Sequence, residues 1–281
     1  MRLGPHDKGL LARPTFCKAR RVRIASWNVN SIRIREPVVL EWVRRTQPDV
    51  LCMQETKVVD DDFPTDEFMR LGYAVAMAGQ PSYNGVAIAT RLPIRDVRIG
   101  LANEPPSADC RAISATVAGV RVVNVYVPNG KSVSSPSFLD KLNWLERLRL
   151  TLDTREQAEQ PLVLCGDFNI ARDDRDVFAP DAFRGQLHFH PEEQRALNRV
   201  LEFGLVDAFR ERHQEGGLYS WWDYRSGAFR KGEGLRIDYV FVTRPLLARL
   251  GQVSIDVEPR RADKPSDHAP VVIELDPATS A

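Results

Sequence analysis

Residues 161–174 read PLVLCGDFNIARDD. An unbroken apolar run leads through Gly166 into Asp167, then Phe168, Asn169 and a loop rich in charge. A run that is apolar throughout, with Pro161 before it and polar residues after it, predicts a strand covered on both faces. Strands of that kind belong to layered α/β folds. Strand alternation predicts that Asp167 and Asn169 face one way and Phe168 turns back into the core. Gly166 lets the backbone pass close to a neighbouring strand. The later acids, Asp173, Asp174 and Asp176, read as solvated loop residues.

The same pattern recurs on both sides. Candidate strands are VRIASWN (22–28), DVLCMQE (49–55), GVAIAT (85–90), RAISATV (111–117), VRVVNVYV (120–127), PLVLCGD (161–167), IDYVFV (237–242) and APVVIEL (269–275). TVAGVRV reads as a hairpin turning at Ala118-Gly119. Helices are expected over 36–45, 138–158, 191–203 and around 245–250; in the second, Phe138, Leu142, Leu145, Leu148 and Leu152 recur at helical spacing. There is no internal repeat, low-complexity segment or Gly/Ser linker, so one domain over 21–276 is expected. Sheets covered by helices on one face and by another sheet on the other would suit so many apolar strands.

The chain has 281 residues, 43% hydrophobic and 27% charged, within the range of soluble globular proteins. A chain of this length buries enough surface to need no disulfide or metal staple. Cys17, Cys52, Cys110 and Cys165 lie far apart, without a CxxC pair, and read as reduced thiols of an intracellular protein. No apolar run approaches the roughly 18 residues of a membrane span, and residues 1–21 lack the apolar core of a secretory signal. Residues 1–23 carry seven Lys or Arg against one Asp, a net +6 in a chain whose total is +1, so the rest is acidic. The segment 1–20 is read as a flexible basic tail, or more sharply as an arm that touches a polyanion. An organelle-targeting segment fits less well. Residues 277–281 form a short C-terminal tail.

Polar residues stand at the ends of the apolar strands. These are Asn28, Glu55, Tyr126, Asp167 with Asn169, Asp238 near the start of its strand, and Asp267-His268 just before the last. Each has an ordinary explanation on its own: Asn28 could cap a turn, Glu55 could pair with Lys57, and Ser266-Asp267 could form an Asx turn. Gathered at one rim, they would form a carboxylate-rich pocket whose repulsion needs a cation or bound protons to offset it. An oxygen-rich donor set favours Mg²⁺ or Mn²⁺ over zinc. Hydrolysis at phosphorus is the chemistry such a pocket supports. No G-x-S-x-G elbow, P-loop, dinucleotide fingerprint or H-E-x-x-H competes with it. His188-Phe189-His190 could bind a metal, though loop or strand alternation explains it equally.

The motifs ASWNVNSIR, PDVLCMQETK, NGVAIAT, VYVPNG, LCGDFNIA, GLVDAFR, SWWDYRSGAF, GLRIDYVF and KPSDHAPV occur in that order. On them the chain resembles the exonuclease III class of apurinic/apyrimidinic (AP) endonucleases, in the endonuclease/exonuclease/phosphatase superfamily. The resemblance runs from about Arg21 to Leu275. GDFN and SDH mark only the superfamily; WNVNSIR, QETK, SWWDYR and LRIDY are specific to its DNA-repair branch. The resemblance implies a four-layer α/β sandwich of two packed mixed sheets flanked by helices. It implies Glu55 as main Mg²⁺ ligand (Mn²⁺ as substitute), with Asn28 and Asp267 close to the metal. Asp167 would prepare the attacking water and Asn169 would hold it or a phosphate oxygen. Asp238 would fix the tautomer of His268, which faces the scissile phosphate, and Tyr126 would donate to a phosphate oxygen or support the leaving group. Whether Asp167 or His268 is the base, and whether one metal or two take part, stays open at this level.

The substrate implied is double-stranded DNA with abasic sites or 3′ ends, bound by a monomer. Trp221, Leu235 and Ile237 would line a small apolar pocket for a bare sugar, and Trp222 would lie against the DNA backbone or the pocket rim. Tyr83 and Asn84 would approach the minor groove, and Arg33, Lys57, Asn129 and Lys131 would contact phosphates. The expectation is a cytoplasmic, nucleoid-associated protein of bacterial type, not a secreted one. The rivals are a superfamily hydrolase for a small-molecule or lipid phosphate and a DNA-binding module without activity. The repair-branch motifs weigh against the first, and the complete constellation weighs against the second.

Overall fold

The computed structural model describes residues 21–105 and 107–278. The basic tail 1–20 and residues 279–281 lie outside the described residues. In chain order the strands are β1 (Val22–Asn28), β2 (Val50–Gln54), β3 (Ala74–Ala78), β4 (Val86–Thr90), β5 (Ile94–Ile99), β6 (Ala112–Val117), β7 (Val120–Tyr126), β8 (Leu162–Asp167), β9 (Leu205–Asp207), β10 (Asp238–Thr243), β11 (Leu250–Ile255) and β12 (Val271–Leu275). The helices are α1 (Ile32–Thr46), α2 (Thr65–Arg70), α3 (Pro136–Arg155), α4 (Pro180–Phe183), α5 (Pro191–Leu201), α6 (Ala228–Lys231) and α7 (Arg244–Leu247).

The strands form two six-stranded mixed sheets, ordered β11-β12-β1-β2-β4-β3 and β5-β6-β7-β8-β10-β9. Each holds a parallel pair at its centre, β1 with β2 and β7 with β8, and its other pairs are antiparallel. One apolar layer, including Ile24, Ile88, Val122, Val163 and Val240, lies between the sheets. A second joins α3 and α5 to the outer face of one sheet, and a third joins α1 and α2 to the other. The result is the expected four-layer α/β sandwich.

The central strands run as anticipated. The Ala118-Gly119 hairpin turn has positive φ at both residues, 50° and 76°, the geometry that two-residue hairpins prefer. Gly166 is required by its neighbours. A Cβ there would stand 1.8 Å from the Val125 carbonyl oxygen. Phe168 is sealed in the core with its ring edge-on to Tyr239 and Phe241, a burial worth roughly 2–3 kcal/mol. Cys52 and Cys165 are free, buried thiols between the sheets, and Cys110 is half-buried.

Several expectations need correction. The helix foreseen at 36–45 begins earlier, at Ile32, and tolerates Pro37 near its start. The one foreseen to 158 stops at Arg155, and the one foreseen to 203 stops at Leu201. Of the segment 245–250, only its beginning is helical, and Leu250 opens a strand. Asn169 does not continue strand alternation, because β8 ends at Asp167; a left-handed turn (φ 54°) brings Asn169 round. Asp176 is not a solvated loop residue. It is fully buried and accepts hydrogen bonds from Arg236 (2.7 and 3.0 Å) and from Arg210, while Arg236 also bonds Asp207 at 2.9 Å. Breaking such a buried ionic network costs about 3–5 kcal/mol, because it leaves a charge without a partner.

Candidate active site

The two parallel pairs put their C-terminal ends at one rim. Asn28 sits opposite Gln54 in one sheet, and Asp167 sits opposite both Tyr126 and Asp238 in the other. Asn28, Tyr126, Asp167 and Asp238 are thereby fixed by strand register, not by loop conformation. Just past β2, Glu55 takes a left-handed conformation (φ 52°), and its carboxylate reaches the same spot.

The centre of the cluster is Asn28. Its amide nitrogen donates to Glu55 Oε1 (2.7 Å) and to Asp167 Oδ2 (2.8 Å), while its oxygen accepts the Asn30 backbone N–H at 2.9 Å. That backbone contact fixes the orientation, so Asn28 faces the two carboxylates as a donor. Asp167 Oδ1 accepts the Asn169 N–H (2.8 Å), and Asn169 Nδ2 approaches Asp167 Oδ2 (3.2 Å) and the Val127 carbonyl (3.1 Å). His268 Nδ1 donates to Asp238 Oδ2 at 2.8 Å, and its Nε2 lies 3.8 Å from Asp167 Oδ2. The Ser220 hydroxyl also donates to Asp238 Oδ2 (2.7 Å), leaving Asp238 Oδ1 buried without a donor among the described residues. Glu55, Asp167 and His268 offer ligand atoms that lie within 4.8 Å of one another.

The electrostatics separate the partners. Burial would lower the His268 pKa, but the Asp238 and Asp167 carboxylates raise it to about 10, so the ring is protonated at neutral pH. Burial raises Asp167 to about 7; Asp238 and Glu55 add to the rise, and His268 and the Asn28 amide oppose it. Tyr126 is held well above its ordinary value by burial first and by Glu55 and Asp167 next, so it stays a phenol donor. Glu55, Asp167 and His268 are the groups placed to hold an ion, and the Glu55 carboxylate supplies the hard oxygen best suited to Mg²⁺. The close approach of Glu55 to Asp167 raises Asp167, and a cation would relieve that repulsion.

The remaining expected residues divide into two groups. Tyr83, Asn84, Asn129 and Lys131 line one open groove of about 1350 Å³ together with Tyr126, Arg111 and Arg147. Tyr83 is 71% exposed, and Lys131 is exposed on a left-handed turn. The others lie elsewhere or are already engaged. Asp267 is tied to Asn30 Nδ2 (2.8 Å) and Trp221 Nε1 (3.0 Å), outside the convergent trio. Arg33 is exposed and paired with Asp62 at 2.8 Å. Lys57 bonds Glu55 (2.8 Å) and Asn30 (2.6 Å), the pairing that the sequence offered as the ordinary explanation of Glu55. Trp222 is not a rim residue: it is buried against Phe229, with the Arg260 guanidinium over its ring. Leu235 and Ile237 are each 1% exposed, packed with Val177 and Phe189, and so back the half-buried Trp221 without presenting a surface of their own.

Sequence reasoning missed Asn30, Ser220 and Ser266, small polar residues that read as ordinary turn formers. Ser266 Oγ donates to the Asn28 carbonyl (2.7 Å) and accepts the His268 N–H (3.1 Å), which locks the last loop onto β1. It also missed His188, half of the flagged HFH pair. His188 Nδ1 donates to the Asn169 carbonyl (2.6 Å), and its ring stands 6.3 Å from the Trp221 ring. His190 caps α5. Neither belongs to the carboxylate cluster.

Comparison with known proteins agrees with this geometry. The model of the Endonuclease/Exonuclease/phosphatase family matches residues 25–268. Exodeoxyribonuclease III of Haemophilus influenzae is 33% identical over 266 residues, 90% of this chain and 100% of that one. An AP endonuclease from Archaeoglobus fulgidus superposes with a TM-score of 0.87 at 41% identity, covering 91% of this chain and 99% of that one. The 3′ phosphatase NExo from Neisseria, bound to a product DNA hairpin, gives 0.87 at 40% identity with the same coverage. Rim, register and relatives together make this chain a member of the endonuclease/exonuclease/phosphatase family, in its exodeoxyribonuclease III class of DNA-repair hydrolases.

Proposed function

We propose that this chain is a Mg²⁺-dependent hydrolase of DNA phosphate esters that cleaves 5′ to abasic sites and cleans or resects 3′ ends, leaving a 3′-hydroxyl. The observation that carries the reading is the hydrogen-bonded row Glu55–Asn28–Asp167 facing the Asp238–His268 pair. Glu55 would hold the ion as main ligand, oriented by the Asn28 amide N–H, with Asp267 in the neighbouring loop tied to Asn30 and Trp221. The bound cation would neutralise charge on a phosphate oxygen. Asp167, raised to about 7, can take a proton from water near neutrality. His268, raised to about 10 and held by Asp238, offers its Nε2 proton to a phosphate oxygen as charge develops. Tyr126, kept a phenol, would add a donor at this rim, and Asn169 would hold Asp167 in place. Tyr83, Asn84, Asn129 and Lys131 would carry the duplex along the adjoining groove.

One observation favours 3′-end chemistry over abasic incision within this range. His188 stands beside Trp221, where a bare sugar would have to enter, and its ring is held in place by the Asn169 carbonyl. An imidazole held there would compete for the space that an extrahelical sugar needs, whereas a terminal 3′-phosphate would not have to enter beside Trp221. Duplexes bearing an abasic site, a 3′-phosphate, a nick or a recessed end, offered beside an inositol phosphate, with Mg²⁺ and with EDTA, test the reading. Hydrolysis of DNA in Mg²⁺ only, fastest at the 3′-phosphate, is expected. Hydrolysis of the inositol phosphate alone would overturn the proposal.

A further inference from the structure

Lys141 lies on the apolar face of α3 with no exposed surface, an uncommon place for an ammonium. Its three N–H donors are all used, by Glu193 Oε1, the Asn169 carbonyl (2.7 Å) and the Asn129 carbonyl (3.2 Å). Glu193, equally buried, stands in the first turn of α5, and its other oxygen accepts the His190 N–H at 3.2 Å. Burying an ion pair returns less than its desolvation costs unless further hydrogen bonds complete it. Packing of α3 on α5 does not need the pair. Trp144, Leu145 and Leu148 already meet Ala196, Leu197 and Val200 in one apolar cluster.

Lys141, held by Glu193, grips the Asn129 carbonyl from behind the active site and shares the Asn169 carbonyl with His188. The side chains of Asn129 and Asn169 meet on the other side, Asn129 Nδ2 donating to Asn169 Oδ1 at 3.1 Å. Asn169 in turn bonds both oxygens of Asp167 (2.8 and 3.2 Å). Its backbone is left-handed (φ 54°), a conformation that asparagine tolerates and that these bonds help to hold. Gly130 keeps the passage open, since a Cβ there would sit 3.2 Å from Lys141 Cδ.

We propose that Lys141 and Glu193 are a positioning pair which, through the carbonyls of Asn129 and Asn169, sets the angle at which the two amides and Asp167 face the reacting phosphate. The pair touches no substrate itself. The inference rests on the reading above that Asp167 and Asn169 act at that phosphate.

The test is the double variant Lys141→Met/Glu193→Gln, which removes both charges while keeping their bulk, beside Leu148→Ala on the same helix as control. The readouts are kcat and KM on a 3′-phosphate duplex with Mg²⁺, and hydrogen exchange of the Asn169 amide. The double variant is expected to lose about 30-fold in kcat, with KM within about threefold, and to speed Asn169 exchange by about tenfold. Leu148→Ala is expected to lower Tm and leave both readouts at wild-type values below its transition. If the double variant does not fold, Glu193→Gln alone is expected to cost about three- to tenfold in kcat by loosening Lys141. A folded variant with kcat and Asn169 exchange at wild-type values overturns the inference. A wild-type chain inactive on every DNA substrate overturns the proposed function instead, and the exchange readout still decides the positioning role.

Discussion

His188 ties the active-site loop to a region of low pKa. Burial first and the Lys141 ammonium second push its pKa down to about 3, from an ordinary 6.5. The folded state therefore keeps the ring neutral where the unfolded chain takes up a proton. Stability that is fully present above pH 6.5 drains away as the pH falls toward 3. Only the first part of that range lies between pH 7 and pH 5, so the loss there should be about 1–2 kcal/mol. Urea unfolding at the two pH values, wild type against His188→Gln, measures it; an equal pH dependence in both would contradict the assignment. At this scale the sequence was most legible where a residue type was out of place. Asn28, Glu55, Asp167, Asp238 and His268 stand at the margins of apolar runs, and the structure gathers all five. Lys141 was illegible because its neighbours form an ordinary charged helix, and nothing local marks which lysine is buried.

Strand register is what turns those residues into a site, and a single glycine maintains it. Gly166 has φ 146° and no room for a Cβ against the Val125 carbonyl, so Gly166→Ala must part β7 from β8 just where Asp167 and Tyr126 are aligned. Destabilisation of about 3–5 kcal/mol is expected, read as a lower denaturation midpoint or insoluble expression; a near-wild-type midpoint would contradict it. The elements that escaped sequence reading share a physical property. The eight anticipated strands are the interior ones, whereas β3, β5, β9 and β11 are the four outer edges of the two sheets. An edge strand has one neighbour and one open side, so its sequence need not be apolar, although β3, AVAMA, is apolar and only half-buried. β5, IRDVRI, is mostly exposed and charged, and β5 and β11 each carry a register shift, devices that protect sheet edges from further pairing. β9 is only three residues long. The fold was readable from its buried centre and faded toward its edges.

For the whole molecule, charge distribution sets the terms of DNA binding. The segment 1–23 is strongly basic and the remainder of the chain net acidic, so the body's overall field does not attract a polyanion. Local cations beside the groove, Arg111, Lys131 and Arg147, are interleaved there with Glu104, Asp109 and Asp140. Removing residues 1–20 should therefore leave kcat unchanged and flatten the dependence of log Kd on log salt by about 1–3 in slope, through loss of phosphate contacts. An unchanged slope would contradict a part for the segment in DNA binding. No helix among the described residues is long and apolar enough to cross a membrane.

All three scales converge on Asp167, the carboxylate that a sealed strand holds against Asn28, Asn169 and His268. The measurement that bears most directly on the account is single-turnover cleavage of a 3′-phosphate duplex by Asp167→Asn with Mg²⁺, with the duplex Kd determined in parallel. A rate loss of at least about 1000-fold with Kd within about threefold is expected, because the proposed role of the residue is toward the water and not the duplex. Near-wild-type cleavage by a folded Asp167→Asn protein would contradict it.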